Sequence, residues 1–366
     1  MLFFNEGNLG THIMGQGQLE ASLRVGLARV SGVQARFAGL AAMGRWPRLL
    51  ATRPVPGLAR RELDFRALRW HIVQSLRARR ALRRELRTFP ADVVHVHSAS
   101  IALAMGATMR RLPVALSLDT TVGDWSRMPA WHERQRYAST LIAPSEALER
   151  RSLAGAAIVL AWTAWARRAA ERVSPTANVV EHHPGIDLDH YRPAPRRERR
   201  LPRVLFVGGR FAEKGGQDLL GVLGAELGST VELDLVTPAA VSERPGLRVH
   251  RLAPSDPRLL ELQQQADVFC LPSFGDAAPW AVLEAMACGT PVLAARVGGI
   301  PDMLDGGRAG LLVAPGDRAG LGEALHALLQ RPQLRAELAG AARARCESVY
   351  DAPRQFAEMV RLLRAL

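Results

Sequence analysis

The sequence predicts an α/β protein built from two Rossmann-like, doubly wound domains that face a central cleft. Short apolar runs alternate with amphipathic stretches along nearly all of its 366 residues, which is the pattern of parallel strands joined by crossover helices. A Pro- and Arg-rich stretch, "YRPAPRRERRLP" (191–202), interrupts this series, and the alternation then begins again. A chain of this length is long enough for two domains with a core each.

The first half contains a series of candidate strands, each a short apolar run bounded by polar or turn-forming residues. They are "LFF", "VQARFAGL", "DVVHVH", "VALSL", "STLIA", "AIVLAW" and "NVVEH". The apolar stretch 152–166 is too short for a bilayer span, and we interpret it as the end of a helix, a buried strand and the start of another helix. The N-terminus lacks the basic and apolar regions of a signal peptide.

The second half repeats the architecture without a visible sequence repeat. Its candidate strands are "RVLFVGG", "VELDLVT", "LRVHRL", "DVFCLP", "PVLAA" and "AGLLVAP", and the residues from Asp317 onward have the periodicity of helices. We therefore expect an N-terminal Rossmann-like domain over 1–190, a linker over 191–202, and a C-terminal Rossmann-like domain over 203–346. A final helix over 347–366 is expected to pack back on the N-terminal domain.

Charge is divided unevenly between the halves. Residues 1–200 carry 31 basic and 16 acidic residues, whereas residues 201–366 carry 17 and 19. The densest basic run, 66–87, has apolar residues at helical spacing, which predicts one packed face and one cationic face; the apolar positions are Leu68, Ile72, Val73, Leu76, Leu82 and Leu86. The cationic face is either simply solvated or directed at an anionic membrane surface or acceptor. Nucleic acid is not the expected partner, because no motif of a nucleic-acid-binding fold is present.

The three cysteines, Cys270, Cys288 and Cys346, follow neither metal-ligand nor disulfide spacing. This usage fits a reducing cytoplasm. The sequence also has no DxD-like pair of aspartates, so no metal site is expected. We predict a cytoplasmic protein, with peripheral association at the inner face of the cell membrane as a further expectation.

One motif, "GGRFAEKGG" (208–216), contains the only lysine of the chain, since 47 of the 48 basic residues are arginines. The motif follows a strand, and Gly208 and Gly209 allow a sharp turn. Arg210 and Lys214 then lie near a helix start, where unpaired N–H groups and the helix dipole favour an anion. Together the two cations predict a phosphate clamp, although the spacing is not that of a Walker A loop. Ordinary surface charges on a first helical turn are the alternative.

A second motif, "PSFGDAAPWAVLEAMACGTPVLAARVGGIPDML" (272–304), places two carboxylates eight positions apart. Asp276 lies in a loop, Pro279 suits the first turn of a helix, and Glu284 follows within that helix. The carboxylates can accept hydrogen bonds from hydroxyl groups at two ends of an extended ligand, and backbone N–H groups near Ala278–Ala281 can bind phosphate between them. A helix-terminal charge and a surface Glu are the alternative.

The N-terminal stretch "FFNEGNLGTHIMGQGQLEASLR" (3–24) predicts a strand, a glycine-rich loop and a helix. Gly15 and Gly17 would allow the backbone to approach a ligand at that helix start. His95 and His97 alternate on a strand, and we expect at least one of them to be a hydrogen-bonded core histidine rather than a catalytic base.

The motifs at 208–216 and 272–304 resemble the nucleotide-binding domain of retaining GT-B glycosyltransferases, specifically glycosyltransferase family 4. The family's mark is a Glu, seven residues, a second Glu, then "EAMACGxPV" and a "GG" loop, and the match extends over about 205–315. "HHPGIDLDHYRP" (182–193) is similar to the family's interdomain signature "PNGVDxxxFxP". The first half matches more loosely, through "GTHIMGQGQLEASLR", "DVVHVHSAS" and "LIAPSEAL".

The resemblance implies a glycosyl transfer with retention at the anomeric carbon, in polysaccharide or glycolipid biosynthesis. A UDP- or GDP-sugar would be the donor substrate, bound by the domain over 203–346. A saccharide or lipid-linked molecule would be the acceptor, bound by the domain over 1–190, and no cofactor would be needed. Arg210 and Lys214 would bind the diphosphate, Glu284 the ribose hydroxyls and Asp276 the sugar hydroxyls. The remaining donor-binding positions implied by the family are Gly15, Gly17, Gly209, Ala278, Pro279, Trp280 and Ala281.

Three departures from the family pattern concern the sugar. Asp276 replaces the first Glu, "AAP" replaces the usual "GFG" after it, and Asp119 stands where the family usually has a His near the sugar. We keep Asp119 as a catalytic candidate. A GT-B sugar-phosphate isomerase or phosphorylase is the alternative enzyme, although a phosphorylase needs a pyridoxal lysine and Lys214 is assigned to phosphate. A non-catalytic, arginine-rich protein that binds membranes or nucleic acid is the alternative of another class.

Overall fold

The computed structural model describes residues 1–5, 23–24, 26–27, 30–60, 64–128 and 138–366. The chain forms two compact units. The first consists of Met1–Pro184 together with Pro353–Leu366, and the second consists of Gly185–Ala352. The second unit is therefore one continuous stretch of chain, whereas the first is completed by a segment from the other end of the sequence.

The first unit contains a six-stranded sheet in the order β2-β1-β3-β4-β5-β6, and its strand pairs are parallel. The strands are β1 (Leu2–Asn5), β2 (Arg36–Gly39), β3 (Val94–His97), β4 (Val114–Leu118), β5 (Ile158–Ala161) and β6 (Val179–Glu181). Residues of β1, β3, β4 and β5 are fully buried. Because both faces of these strands are covered, β1, β4 and β5 read in the sequence as nearly continuous apolar runs, whereas β3 alternates Val and His.

Helices cover this sheet and complete its core. They are α1 (Arg45–Thr52), α2 (Pro56–Ala59), α3 (Arg66–Thr88), α4 (Ala99–Ala102), α5 (Gly106–Met109), α6 (Val122–Arg127), α7 (Ala138–Gly155), α8 (Ala164–Val173) and α15 (Ala352–Arg364). The core joins the strands to Ala78 and Leu82 of α3 and to Leu153 of α7. Within the described residues, no helix is both long and apolar enough to cross a membrane.

One predicted strand is wrong. "STLIA" (139–143) belongs to α7, which continues through Pro144 to Gly155. The buried positions Leu141, Ile142, Ser145 and Glu149 recur every three to four residues, which is helical periodicity. A five-residue stretch with three apolar residues is too short to show this period, so the sequence could not distinguish the buried helix from a strand.

The predicted packing face of the basic helix is also wrong in part. Helix α3 forms as expected, but it buries Gln74, Ser75, Ala78 and Leu82. Ile72 and Leu76, which were expected to pack, are 38% and 42% exposed and lie on the opposite side of the helix. The small side chains of Ser75 and Ala78 allow α3 to approach its neighbours closely, and this contact turns two apolar residues to solvent.

The second unit contains a parallel six-stranded sheet in the order β12-β11-β10-β7-β8-β9. The strands are β7 (Arg203–Val207), β8 (Glu232–Val236), β9 (Leu247–His250), β10 (Val268–Leu271), β11 (Val292–Ala295) and β12 (Leu311–Val313). The strand order reverses between β7 and β10. In open α/β sheets, ligands bind at the carboxyl ends of strands at such a reversal.

The helices of the second unit are α9 (Gly216–Leu223), α10 (Pro257–Gln265), α11 (Trp280–Ala287), α12 (Ile300–Met303), α13 (Arg318–Gln330) and α14 (Pro332–Arg345). A 3-10 turn follows α12 at Asp305–Gly307, and a π-helical segment, Cys346–Tyr350, precedes α15. The second unit thus runs to residue 352, six residues beyond the boundary expected from the sequence.

Helix α15 is anchored in the first unit. Phe356 is fully buried, and a Cβ atom added to Gly26 would lie 2.2 Å from its ring. The Nε2 of His182 lies 2.9 Å from the carbonyl oxygen of Gln355. Arg364 donates to the carbonyl oxygen of Ser31 at 2.8 Å.

Candidate active site

Three loops meet at the carboxyl ends of β7, β10 and β11 in the second unit. Gly215 has a φ of +77°, and a Cβ there would lie 2.1 Å from the carbonyl oxygen of Pro272. Gly298 has a φ of +54°, and a Cβ there would lie 1.8 Å from the carbonyl oxygen of Asp276. Only glycine allows both the left-handed conformation and the close approach. The two glycines therefore let the loops after β7 and β11 contact the loop after β10.

Backbone hydrogen bonds connect the same loops. The N–H of Phe274 donates to the carbonyl oxygen of Glu213 at 3.0 Å. The N–H of Gly299 donates to the carbonyl oxygen of Ala277 at 2.7 Å. The side chains carried by these loops are consequently held by backbone contacts on both sides.

Lys214 and Asp276 form an ion pair at this junction. The Nζ of Lys214 donates to Asp276 Oδ2, and Ser273 Oγ donates to the same oxygen at 3.3 Å. Asp276 is buried and Lys214 is half-buried. An ammonium has three N–H groups, so one lysine can contact both a carboxylate and a phosphate. The structure thus brings together the predicted diphosphate-binding lysine and the predicted sugar-binding aspartate.

Arg210 and Gly209 lie in the exposed part of the turn after β7. The backbone N–H of Lys214 donates to the carbonyl oxygen of Arg210 at 2.9 Å, which closes the turn between the two cations. Helix α9 begins at Gly216, two residues after Lys214. The lysine therefore precedes the helix instead of lying in its first turn.

Helix α11 begins beside Asp276. Its N-cap is Pro279, in an extended conformation and with no side-chain capping bond. The predicted donor-binding residues Ala278 and Trp280 are 9% exposed, and Ala281 is half-buried. The first N–H groups of a helix have no intrahelical acceptor, so this end of α11 presents donors to an anion.

Glu284 lies in α11 and is buried. It accepts a hydrogen bond from the hydroxyl of Tyr191 at 3.2 Å. Burial raises the pKa of Glu284 to about 7, although hydrogen bonds from Tyr191 and Gln263 oppose the shift. Near neutral pH this carboxyl can therefore exist either as an acceptor-only carboxylate or as a neutral acid.

Asp119, the candidate of the first unit, is the first residue after β4 and is half-buried. Helix α6 begins three residues later. Its Val122 N–H donates to both carboxyl oxygens of the buried Glu149, at 2.9 and 3.1 Å. Burial raises the pKa of Glu149 to about 8. Gly15 and Gly17, the other predicted ligand-contacting positions of this unit, lie outside the described residues.

His95 and His97 are both buried in the first sheet. His95 Nε2 lies 2.7 Å from the hydroxyl of Ser117, and the ring of His97 stacks on Trp162 with a centroid distance of 4.8 Å. Burial lowers the pKa of His95 to about 3 and that of His97 to about 4, so both rings are neutral at pH 7. His95 is the hydrogen-bonded core histidine that the sequence analysis expected.

Two site features were missed by the sequence analysis. Tyr191 occupies the aromatic position of the signature in 182–193, which could have indicated a structural role, but not its hydrogen bond to Glu284. Glu149 follows directly on "LIAPSEAL", and nothing in the letters indicates that it supports the start of α6. Among the residues that the structure describes, no group of three or more His, Cys, Asp or Glu is arranged to hold a metal ion.

Two family models match the chain, one on each side of the linker. Residues 23–190 match Glycosyltransferase Family 4, and residues 201–331 match Glycosyl transferases group 1. The chain therefore belongs to the family 4 and group 1 glycosyltransferases. The predicted family and the predicted fold of two Rossmann-like domains are confirmed.

Curated relatives are similar over part of their length. A D-inositol 3-phosphate glycosyltransferase of Mycobacterium avium is 37% identical over 172 residues, which is 41% of this chain and 40% of the relative. One of Pseudarthrobacter chlorophenolicus is 32% identical over 220 residues, which is 50% of this chain and 52% of the relative. The matched segments thus span about two fifths to one half of these relatives.

Solved structures are similar over their whole length. Sucrose-phosphate synthase from Thermosynechococcus elongatus has a TM-score of 0.74 at 17% identity, covering 100% of this chain and 98% of that one. Anabaena HepE in complex with UDP-glucose has a TM-score of 0.70 at 15% identity, covering 100% and 99%. At these identities the likeness concerns the fold.

Proposed function

We propose that this protein transfers a glycosyl group from a nucleotide-diphosphate sugar to an acceptor hydroxyl, with retention at the anomeric carbon. The observation that carries the proposal is the Lys214–Asp276 ion pair at the reversal of strand order in the second sheet. An ammonium next to a carboxylate suits a ligand with adjacent phosphate and hydroxyl groups. Glycosyltransferase family membership and structural neighbours with bound UDP and UDP-glucose support this assignment.

In the proposed reaction, the bond between the anomeric carbon and the diphosphate oxygen breaks, and the electron pair leaves with the nucleotide diphosphate. A bond then forms between the anomeric carbon and the acceptor oxygen, and the proton of the acceptor hydroxyl passes to the departing diphosphate. Negative charge develops on the leaving group as the sugar acquires oxocarbenium character. Lys214, Arg210 and the N–H groups at the start of α11 lower the energy of that charge.

The two carboxyl groups have different proposed partners. Asp276 accepts hydrogen bonds from the sugar, because its ion pair with the diphosphate-binding Lys214 places it beside the phosphate to which the sugar is attached. Glu284 accepts from the ribose hydroxyls in its ionised form. Asp119 is proposed to contribute from the first unit, as the residue after β4 that the family places near the sugar.

The acceptor is proposed to be a saccharide or a lipid-linked molecule of envelope or polysaccharide biosynthesis. Two D-inositol 3-phosphate glycosyltransferases are 37% and 32% identical to parts of this chain. A polyol or polyol phosphate is therefore a natural first acceptor to assay. The cytoplasm is the proposed compartment, since Cys270, Cys288 and Cys346 are buried free thiols, which suit a reducing environment.

Thermal unfolding with a panel of UDP-, GDP- and ADP-sugars tests the proposal. Ligands that bind the native state raise its stability, so one nucleotide should raise the Tm selectively. Lys214→Ala should weaken binding of that nucleotide diphosphate by about 1.5–3 kcal/mol, the value of a charge-assisted hydrogen bond. It should also abolish most transfer.

Arg331→Ala is the matched control, since it also removes one positive charge from the second unit, at an exposed position where α14 begins. It should bind the nucleotide like the unmodified protein. Equal affinity of Lys214→Ala and the unmodified protein would reject the clamp, and no response to any nucleotide would reject the proposed function.

A further inference from the structure

Exposed apolar side chains are concentrated in one region of the first unit. Eight of the ten large apolar side chains that are exposed among the described residues fall between positions 46 and 76. These are Trp46, Leu49, Leu50, Val55, Leu58, Phe65, Ile72 and Leu76. Single exposed apolar residues are ordinary, but a cluster of them marks a surface that another molecule covers.

Helix α1 contributes the most exposed members. Trp46 is 75% exposed and Leu50 is 71% exposed, whereas Ala51, on the other side of the helix, is buried. Arg45 and Arg48 are exposed next to them. The helix therefore has an apolar side directed away from the domain, with guanidinium groups along its border.

Helix α3 continues the surface. Phe65, Ile72, Leu76, Arg80 and Arg83 succeed one another at spacings of seven, four, four and three residues, so they lie along one side of the helix. All of them are exposed. This side is apolar near the start of α3 and cationic toward its end.

Hydrogen bonds fix α1 and the preceding residues against α3. Arg69 donates to the carbonyl oxygen of Arg53 at 2.9 Å, and its guanidinium also pairs with Asp64. Arg77 donates to the carbonyl oxygen of Ala41 at 2.6 Å. Two arginines of α3 are thus used internally, which holds the apolar sides of the two helices in one surface.

We propose that this apolar–arginine surface (Trp46, Leu49, Leu50, Phe65, Ile72 and Leu76 with Arg45, Arg48, Arg80 and Arg83) docks on an anionic lipid bilayer. None of its four arginines is ion-paired within the part of the chain that the structure describes. A Trp-containing amphipathic helix bordered by arginines suits the boundary between lipid headgroups and acyl chains. The guanidinium groups complement lipid phosphates.

Charge complementarity favours a lipid surface over a second copy of the chain. Residues 1–200 carry 15 more basic than acidic residues, so two copies joined through this surface would bring like charges together. The proposal goes beyond the transfer reaction and does not depend on it, because the docking residues are separate from the nucleotide-binding loops in sequence.

Sedimentation with vesicles tests the docking. The protein is mixed with vesicles of phosphatidylcholine alone, or of phosphatidylcholine and phosphatidylglycerol in equal parts, at low and high salt. We expect binding to the anionic vesicles to be about tenfold or more stronger, and to fall with salt. Trp46→Ser/Leu50→Ser should weaken it by about tenfold or more, since two inserting side chains are lost.

Two charge variants separate the surface from the overall charge of the protein. Arg45→Glu/Arg48→Glu should remove the preference for anionic vesicles. Arg168→Glu/Arg331→Glu, at two exposed arginines outside the surface, makes the same change in net charge and should bind like the unmodified protein. Equal losses in both variants would mean diffuse attraction and would overturn the proposal.

Other results would also overturn it. Equal sedimentation with both vesicle types, or unchanged binding of Trp46→Ser/Leu50→Ser, would reject lipid insertion. A dimer that the Trp46→Ser/Leu50→Ser variant dissociates would identify a protein interface instead. If that variant fails to unfold cooperatively, the single Trp46→Ser variant replaces it. Nucleotide titration of each variant should be unchanged, so loss of docking and failure of the proposed transfer remain distinguishable.

Discussion

The two sheets carry different chemistry at the places where their strand order reverses. In the second sheet, the loops after β7 and β10 carry the charged pair of Lys214 and Asp276. In the first sheet, β1 ends at Asn5 and β3 ends at His97, both buried and neutral. Within the described residues, the Asn5 amide and His97 Nδ1 have no hydrogen-bond partner. The two reversals therefore differ in chemistry: the second sheet has an ion pair there, and the first sheet has buried neutral polar groups.

The largest expected effect comes from disturbing the contact between the loops that carry Lys214 and Asp276. Gly215→Ala would place a Cβ 2.1 Å from the Pro272 carbonyl oxygen at a φ of +77°. We expect about 2–4 kcal/mol of lost unfolding free energy and a loss of nucleotide binding, because the loops after β7 and β10 separate. Denaturant unfolding and nucleotide titration measure the two effects.

Gly340→Ala is the control for this prediction. Nothing lies within 4 Å of a Cβ at Gly340, which is inside α14. The variant should gain about 0.5–1 kcal/mol from its higher helix propensity. Normal nucleotide affinity in Gly215→Ala would show that the close loop contact is not required.

The next largest effect distinguishes Glu284 from Asp276. Glu284→Gln should weaken binding of the bare nucleoside diphosphate by about 1.5–3 kcal/mol, because its proposed partner is the ribose. Asp276→Asn should leave that affinity nearly unchanged and reduce transfer. Calorimetric titration with the nucleotide and a transfer assay compare them, and similar behaviour toward the nucleotide would contradict the division.

The pKa of Glu284 makes this comparison sharper. Since burial raises it to about 7, lowering the pH below 7 protonates the acceptor and should weaken nucleotide binding by up to about tenfold per pH unit. The Glu284→Gln variant should lose this dependence. Tyr191→Phe removes only the hydrogen bond at 3.2 Å and should keep it.

The smallest expected effect concerns the buried histidines of the first sheet and the pH dependence of stability. His95 and His97 have pKa values of about 3 and 4, below the usual 6.5, so the unfolded state binds protons that the folded state does not. The stability that these two rings contribute is therefore present above pH 6.5 and is lost as the pH decreases toward 4. Glu149 and Glu284, whose pKa values are raised by burial, change stability in the opposite direction over this range. Between pH 6.5 and 5, each histidine should lower the free energy of unfolding by about 2 kcal/mol.

Denaturant unfolding at the two pH values measures this loss. His97→Gln should reduce the pH dependence, since it removes one of the two groups. His326, which is hydrogen-bonded at the surface and has a raised pKa, has the opposite sign, so His326→Gln should not reduce the acid loss. If His97→Gln and the unmodified protein show the same change in unfolding free energy between pH 6.5 and 5, the lowered pKa of His97 is contradicted.

The sequence predicted the strands well because buried parallel strands are short, separate apolar runs. "VALSL" and "RVLFV" are fully or almost fully buried strands, and no alternative pattern competes with them. The strand prediction at "STLIA" failed for a physical reason: burying one face of α7 requires only a few apolar residues, and a few apolar residues also resemble a short strand. The exposure of Ile72 and Leu76 could not be predicted, because packing depended on the small residues Ser75 and Ala78.

The candidate site was predictable as a set of residues but not as a set of contacts. Lys214 and Asp276 are separated by 62 positions, and each had its own expected ligand group. Their pairing depends on the strand order that makes β7 and β10 neighbours and on the positive φ of Gly215. Neither follows from local sequence patterns, whereas the glycine-rich turn and the helix start do.

The discontinuity of the first unit has a consequence for synthesis on the ribosome. The second unit is continuous, so its sheet can close once residues 185–352 have emerged, whereas the first unit still lacks the side chain of Phe356 that lies against Gly26. We expect chains truncated after residue 352, and tethered to the ribosome by a linker that spans the exit tunnel, to protect the second unit from protease while the first is still digested. Although its strands are made first, the half that carries the apolar–arginine surface is the last to mature.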